Sequence, residues 1–347
     1  MSVGSAARTR ASTPGPRRRR AWPSLTAAAV LGALLAAAVV LLLRDGEGEP
    51  PPRAAPPPLP GPGARVVGRP IRVGEDPTGI AAGERYVWVA SVADSNASVI
   101  DPVINGPLEQ KVEVSGRPTG VDVAGGSVWI TSLDAGTLTR VDPRAYEVQR
   151  VIPVGDSPVA VSSSPDSIWV ADEDADAVVR IDSGSAKVVG RRIRVGESPA
   201  GLVYLDDSVW VSNSEDDTVS RIDVRSRRVV RTIPVGDHPV GLAAGAGDVW
   251  VANYEDDTVS RIDPGSDRVV RTIAVGQGPR HLAADDEAVW VPSSGDGTVR
   301  AIDVGANRVV DKPLRVGRGV DRVAVGRDAV WVTRAADGTV IRIEPSD

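Results

Sequence analysis

Seven tryptophans, Trp88, Trp129, Trp169, Trp210, Trp250, Trp290 and Trp331, follow one another at intervals of 41, 40, 41, 40, 40 and 41 residues. Such regularity over most of a 347-residue chain points to a repeat architecture. Each Trp lies in a short apolar run, VWVAS, VWITS, IWVAD, VWVSN, VWVAN, VWVPS or VWVTR, bounded by Gly, Asp or Ser, which is the pattern of a buried strand. About eleven residues earlier comes a turn: VGEDP, VSGRP, VGDSP, VGESP, VGDHP, VGQGP and VGRGV, the last with Val320 where the others have Pro. Composition agrees, because Phe is absent and aromatics are 3%, leaving Val, Ile, Leu, Ala and Trp to build the core. That bias favours strands.

Within the unit 239–276, four apolar-rich strands are separated by AGAGD, YEDD and DPGSD. Four strands in about 40 residues is the signature of a β-propeller blade, and no helical periodicity occurs after residue 63. The opening segment ARVVGRPIRVG at 64–74 matches KVVGRRIRVG at 187–196, the fourth strand of a unit, while the last unit ends after its third strand. The chain is therefore expected to form an all-β, seven-bladed propeller over 64–347, with four-stranded antiparallel blades. Its N-terminal strand completes blade seven and removes the exposed sheet edges.

A single transmembrane helix is expected before the propeller. Residues 24–43, SLTAAAVLGALLAAAVVLLL, carry no charge and are long enough to span a bilayer. Arg8, Arg10 and Arg17 to Arg20 precede the span, so 1–23 reads as a cytoplasmic basic tail and the propeller lies outside the cell membrane. The stretch is longer than a cleaved signal peptide's apolar region and lacks a small-residue cleavage site, which favours an uncleaved anchor. Residues 44–63, with eight prolines and four glycines, form a linker.

The units, for example VANYEDDTVSRIDPGSDRVVRTIAVG at 251–276, resemble the YVTN-type β-propeller repeat across essentially all of 64–347. The family's Tyr is Trp in all seven strands, and its Asn survives as Asn213 and Asn253. The resemblance implies a seven-bladed propeller. Relatives include surface-layer proteins, periplasmic DNA-binding propellers and, more remotely, streptogramin lyases, which use a His and Glu constellation with magnesium.

The repeated Trp reads as packing between blades, and Asp142, Asp182, Asp223, Asp263 and Asp303 of the RID-type runs as closing Asx-turns. Up-and-down connectivity puts the blade-crossing loops and the turns between second and third strands on one face. That face receives Asp172, Glu173, Asp174 and Asp176 from blade three, Glu215, Asp216 and Asp217 from blade four, and Glu255, Asp256 and Asp257 from blade five. These acidic turns read as solvated hairpin tips, with a cation or basic partner as the alternative. Asp172, Asp174 and Asp176 echo a calcium loop, but Ala177 stands where its Gly should be and Ser183 where its closing Glu should be. Without the basic N-terminal tail the chain is more acidic still, which disfavours nucleic acid. No cysteine is present, excluding disulfides, thiolate zinc sites and a thiol nucleophile. No cofactor or metal site is expected.

The repeat breaks at one position. Two residues after the turn Pro, blades one to five carry Gly79, Gly120, Ala160, Gly201 and Gly241, but blades six and seven carry His281 and Arg322. Arg280, Arg318 and Arg334 share that face and sector, making a cationic corner opposite the acidic sector. Arg offers a fixed fork of donors for a carboxylate or phosphate ligand. The favoured expectation is a membrane-anchored extracytoplasmic binding module, a sensor or scaffold for an unknown ligand or protein, without catalysis. The alternative is a streptogramin-lyase-like, metal-dependent enzyme using His238 and His281, although no blade has the lyase-type strand ending in Glu and no carboxylate adjoins His281 in sequence.

Overall fold

The computed structural model describes residues 63–310 and 312–346. The expected tail, membrane span and nearly all of the linker fall outside them. Among the described residues no helix is long and apolar enough to cross a membrane.

Seven antiparallel sheets follow in chain order, each built from consecutive strands except the last. Blade five is representative: Pro239–Gly245, Asp248–Asn253, Thr258–Asp263 and Arg268–Ala274 run up and down from the innermost edge to the rim. The first strands of successive blades are neighbours all the way round, and Val320–Val325 of blade seven lies beside Pro77–Ala82 of blade one. Blade seven combines Val320–Val325, Val330–Arg334 and Thr339–Ser346 with the N-terminal Gly63–Arg72. The register runs from Gly63↔Ser346 to Arg72↔Thr339, with an irregularity between Val67 and Ile71. The sequence thus closes on itself as the opening segment predicts, with the strand beginning at Gly63 rather than Ala64.

The core is divided into seven clusters, each of which crosses a seam. Trp88 packs with Val128 and Ile130 of blade two, Trp250 with Val289 and Val291 of blade six, and Trp331 with Val87, Val89 and Ile100 of blade one. All seven indoles are buried. At about 25 cal/mol per Å2 and 150–250 Å2 apiece, each contributes roughly 4–6 kcal/mol before conformational costs. The Trp-strand sequence therefore sets the seams between blades, as well as the interior of each sheet.

Position two after the turn Pro is small for a related reason. A Cβ on Gly201 would stand 2.4 Å from the Val240 carbonyl oxygen of the next blade, and one on Gly241 2.7 Å from the Arg280 oxygen and the His281 Cα. The inner strands approach here nearly to backbone contact. Blade six departs from this pattern: its inner ladder is reduced to Ala283–Ala284, with an isolated bridge Pro279↔Ser293. Residues 280–282 leave the sheet at the place where His281 replaces the small residue.

Candidate functional site

The acidic turns have a structural occupation. The Asp216 carboxylate accepts from the Glu197 N–H at 2.7 Å, Asp256 from the Asp237 N–H at 2.9 Å, and Asp94 from the Glu75 N–H at 3.0 Å. Each ties its turn to the crossing loop that enters the same blade. The next Asp reaches across the seam: Asp176 accepts from the Ser198 N–H at 3.1 Å, Asp217 from the His238 N–H at 2.9 Å and Asp257 from the Gly278 N–H at 2.8 Å. Asp172 is fully buried, accepts from the Asp156 and Ser157 N–H groups at 3.2 and 3.0 Å, and lies 3.0 Å from an Arg192 nitrogen. Asp174 accepts from the Ser157 hydroxyl. Glu215 and Glu255 are exposed to solvent. The acidic face is therefore a set of backbone clamps. No group of three or more potential ligands is poised for a metal among the described residues.

The RID-type aspartates close Asx-turns as expected: Asp142 accepts from the Arg144 N–H at 2.8 Å, Asp182 from Ser185 at 2.7 Å and Asp263 from Gly265 at 2.9 Å. These bonds hold the three carboxyls below the ordinary carboxylate range: backbone donors lead at Asp142, and serine hydroxyls at Asp182 and Asp263. Sequence reasoning overlooked the Arg two residues before this Asp, and before Glu344 in blade seven. Arg140, Arg180, Arg221, Arg261 and Arg342 pair across strands with Trp129, Trp169, Trp210, Trp250 and Trp331. Their guanidinium carbons lie 4.9–5.5 Å from the ring centroids, a cation–π distance. Four of these reach the next blade: Arg140 to the Gly184 oxygen, Arg221 to the Pro264 oxygen, Arg261 to the Val304 oxygen and Arg342 to the Pro102 oxygen. The fivefold recurrence was available as a signal.

The expected cationic corner is brought together only in part. His281 and Arg322 line a central channel of roughly 170 Å3, whose wall is otherwise built from inner-strand residues of blades one to five. Burial pushes the His281 imidazole down to about 3, the Arg322 guanidinium adds to the shift, and a hydrogen bond with the Val323 backbone opposes it. The ring is half-buried by surface area because it borders the channel. It is neutral at neutral pH, so Arg322 is the cation of this pair. Asp122, unnoticed in the sequence, lines the same channel from blade two. Burial raises its carboxyl, against hydrogen bonds from Ser163 and Val123. His281 Nδ1, Arg322 Nε and Asp122 Oδ2 are all buried without a hydrogen-bond partner; the Asp321 carboxylate approaches Arg322 Nε at 3.4 Å without hydrogen-bond geometry.

The remaining candidates lie elsewhere. Arg280 stacks on Tyr254, 4.4 Å from the ring centroid, and His238 meets the same ring edge-on at 5.9 Å. Arg334 is paired with Asp337 and donates to the Val316 oxygen at 3.0 Å. It does for the crossing loop of blade seven, as a donor, what Asn213 does as an acceptor from the Gly196 N–H at 3.1 Å. Its difference from the other blades is thus architectural. Arg318 is exposed.

The chain matches no protein-family model and no curated protein. Among solved structures, it is similar to a streptogramin B lyase, at 16% identity with a TM-score of 0.70, covering 78% of this chain and 94% of that one. It is also similar to virginiamycin B lyase from Staphylococcus aureus, at 15% identity and a TM-score of 0.71, covering 81% and 99%. Hydrazine synthase from Kuenenia stuttgartiensis gives 16%, a TM-score of 0.68, and coverage of 78% and 95%. At such identity the likeness establishes the propeller fold.

Proposed function

We propose that this chain is a membrane-anchored, extracytoplasmic propeller that binds an anionic ligand or an acidic protein group at its central channel and performs no catalysis of its own. The observation that carries the reading is the break in the repeat. Blades one to five keep a small residue where neighbouring backbones press together, whereas His281 displaces the inner strand of blade six and Arg322 brings a guanidinium to the channel. Three buried polar atoms without partners converge on that channel. A departure that costs sheet pairing and leaves polar groups unsatisfied is where a folded chain keeps function. A carboxylate would take the Arg322 fork, in a channel that Asp122 lines from blade two.

The lyase reading rests on fold likeness. Against it, the His238 ring packs edge-on against Tyr254, and a His titrating near 3 is a weak base at neutral pH. The test is thermal-shift titration of the full chain in nonionic detergent with formate, acetate and phosphate. The parent is expected to gain stability with at least one anion and Arg322→Ala with none; equal responses would discard the channel site. Incubation with a streptogramin B and magnesium checks the other half, since ring opening lost in His281→Ala would establish catalysis. Membrane fractionation with protease protection tests the anchor and its orientation.

A further inference from the structure

The seam between blades three and four lacks the staple that the other arginine-bearing seams possess. At four seams the Arg donates to a backbone oxygen in the next blade's turn between third and fourth strands, and at two of them also to the last residue of that turn, which adopts a left-handed conformation. In blade five it is Asp267, φ +54°, which accepts from Arg221 at 2.6 Å and pairs with Arg231 at 3.1 Å. In blade six it is Asn307, which accepts from Arg261. In blade four the same position is Arg227, φ +57°. Arg180 of blade three donates to the Ser167 hydroxyl at 2.7 Å and, among the described residues, makes no hydrogen bond to blade four.

The fourth strand of blade three carries one residue more than that of blade four, KVVGRRIRVG against RVVRTIPVG. It is interrupted between Lys187–Val188 and Ile193–Arg194. Gly190, φ +80°, lies in the interruption, and a Cβ there would come 3.0 Å from an Arg227 guanidinium nitrogen. The sequence therefore makes room for that guanidinium. The result is a rim groove of roughly 560 Å3 lined by Arg191, Arg192, Arg194, Arg227 and Arg228, with no acidic residue in its wall. Arg192 alone of the five has an ion-pair partner, Asp172, among the described residues. Comparable grooves elsewhere on the ring are mixed, one containing Glu75, Asp94 and Glu109 and another Asp248 and Asp263.

We infer that this groove binds a ligand presenting two or more phosphoryl groups. Like charges are gathered at a turn position that holds an acidic acceptor in blade five and a neutral one in blade six, and an entering anion would offset their repulsion. Phosphoryl groups fit better than carboxylates because each offers three acceptor oxygens and more charge to several convergent guanidinium forks. The site is separate from the central channel.

The test is calorimetric titration of the full chain in nonionic detergent with inorganic tripolyphosphate, with polyglutamate as the carboxylate comparator. Tripolyphosphate is expected to bind the parent, more weakly as salt rises. Arg227→Asp should weaken it at least tenfold while keeping or raising the melting temperature, because it restores the acceptor found in blade five. Arg191→Ser with Arg194→Ser should weaken binding without changing the melting temperature, and Arg322→Ala should leave it unchanged. Absence of tripolyphosphate binding, parental affinity in both rim variants, or equal binding of polyglutamate would overturn the assignment.

Discussion

Blades five and six are consecutive copies of one unit, yet they differ in how their inner strands are held. In blade five, Gly241 lets the chain lie against the backbone of the next blade, and Leu242, Ala243, Ala244 and Gly245 pair in order with Val251, Trp250, Val249 and Asp248. In blade six, His281 occupies the corresponding place, and the inner segment pairs at Ala283↔Trp290 and Ala284↔Val289 and through the isolated bridge Pro279↔Ser293. Their second and third strands are otherwise alike, from Asn253↔Thr258 to Ser293↔Thr298. The outer part of a blade is fixed by its own hairpins and the Trp seam, so the inner strand is where one substitution changes local structure without undoing the ring.

The comparison yields expected outcomes of decreasing size. Deleting 63–72 removes the strand that completes blade seven, so the ring loses closure, and urea or heat unfolding should lose its cooperative transition altogether. Gly241→Val in the regular sector should cost on the order of 3 kcal/mol in denaturant titration, since its contacts are backbone atoms that cannot move aside. His281→Gly asks the opposite of blade six. Its imidazole titrates near 3 when folded and near its ordinary 6.5 when unfolded. The stability linked to its neutral form is present above 6.5 and lost as pH falls towards 3. The variant should therefore show a flatter fall in melting temperature across that window than the parent.

Smaller effects separate the seams. Arg221→Ala should cost about 1–2 kcal/mol, removing bonds to the Pro264 oxygen and Asp267. Arg180→Ala should cost less, because it has no bond into blade four to lose. Asp122→Asn should raise the melting temperature at neutral pH. The folded carboxyl is raised, so its contribution is present below the ordinary 3.8 and lost as pH climbs through the folded value.

Much of the architecture was legible because it is encoded locally. The Trp spacing, the Gly and Pro of the crossing loops, and the Asx positions at Asp142, Asp182 and Asp263 are each read within a few residues. Phase told the rest: a fourth-strand motif at the start and a missing fourth strand at the end imply one closed ring. The site was legible only as a list of departures from the repeat. His281 and Arg322 stood out correctly as irregular and do share the channel. Arg334 stood out equally, yet Asp337 and the Val316 oxygen account for it. The acid-rich turns looked like free charge because their partners, the N–H groups of Glu197, Ser198, Asp237, His238 and Gly278, are backbone atoms with no signature in composition.

By itself, then, the sequence determined the number of sheets, their strand order and the way the ends meet, because periodicity and turn chemistry act over short stretches of chain. Only the tertiary structure decided which charges are free. Whether a carboxylate clamps a loop, a guanidinium finds an acceptor, or an imidazole stays neutral depends on atoms contributed by the neighbouring blade, 21 to 46 residues away along the chain.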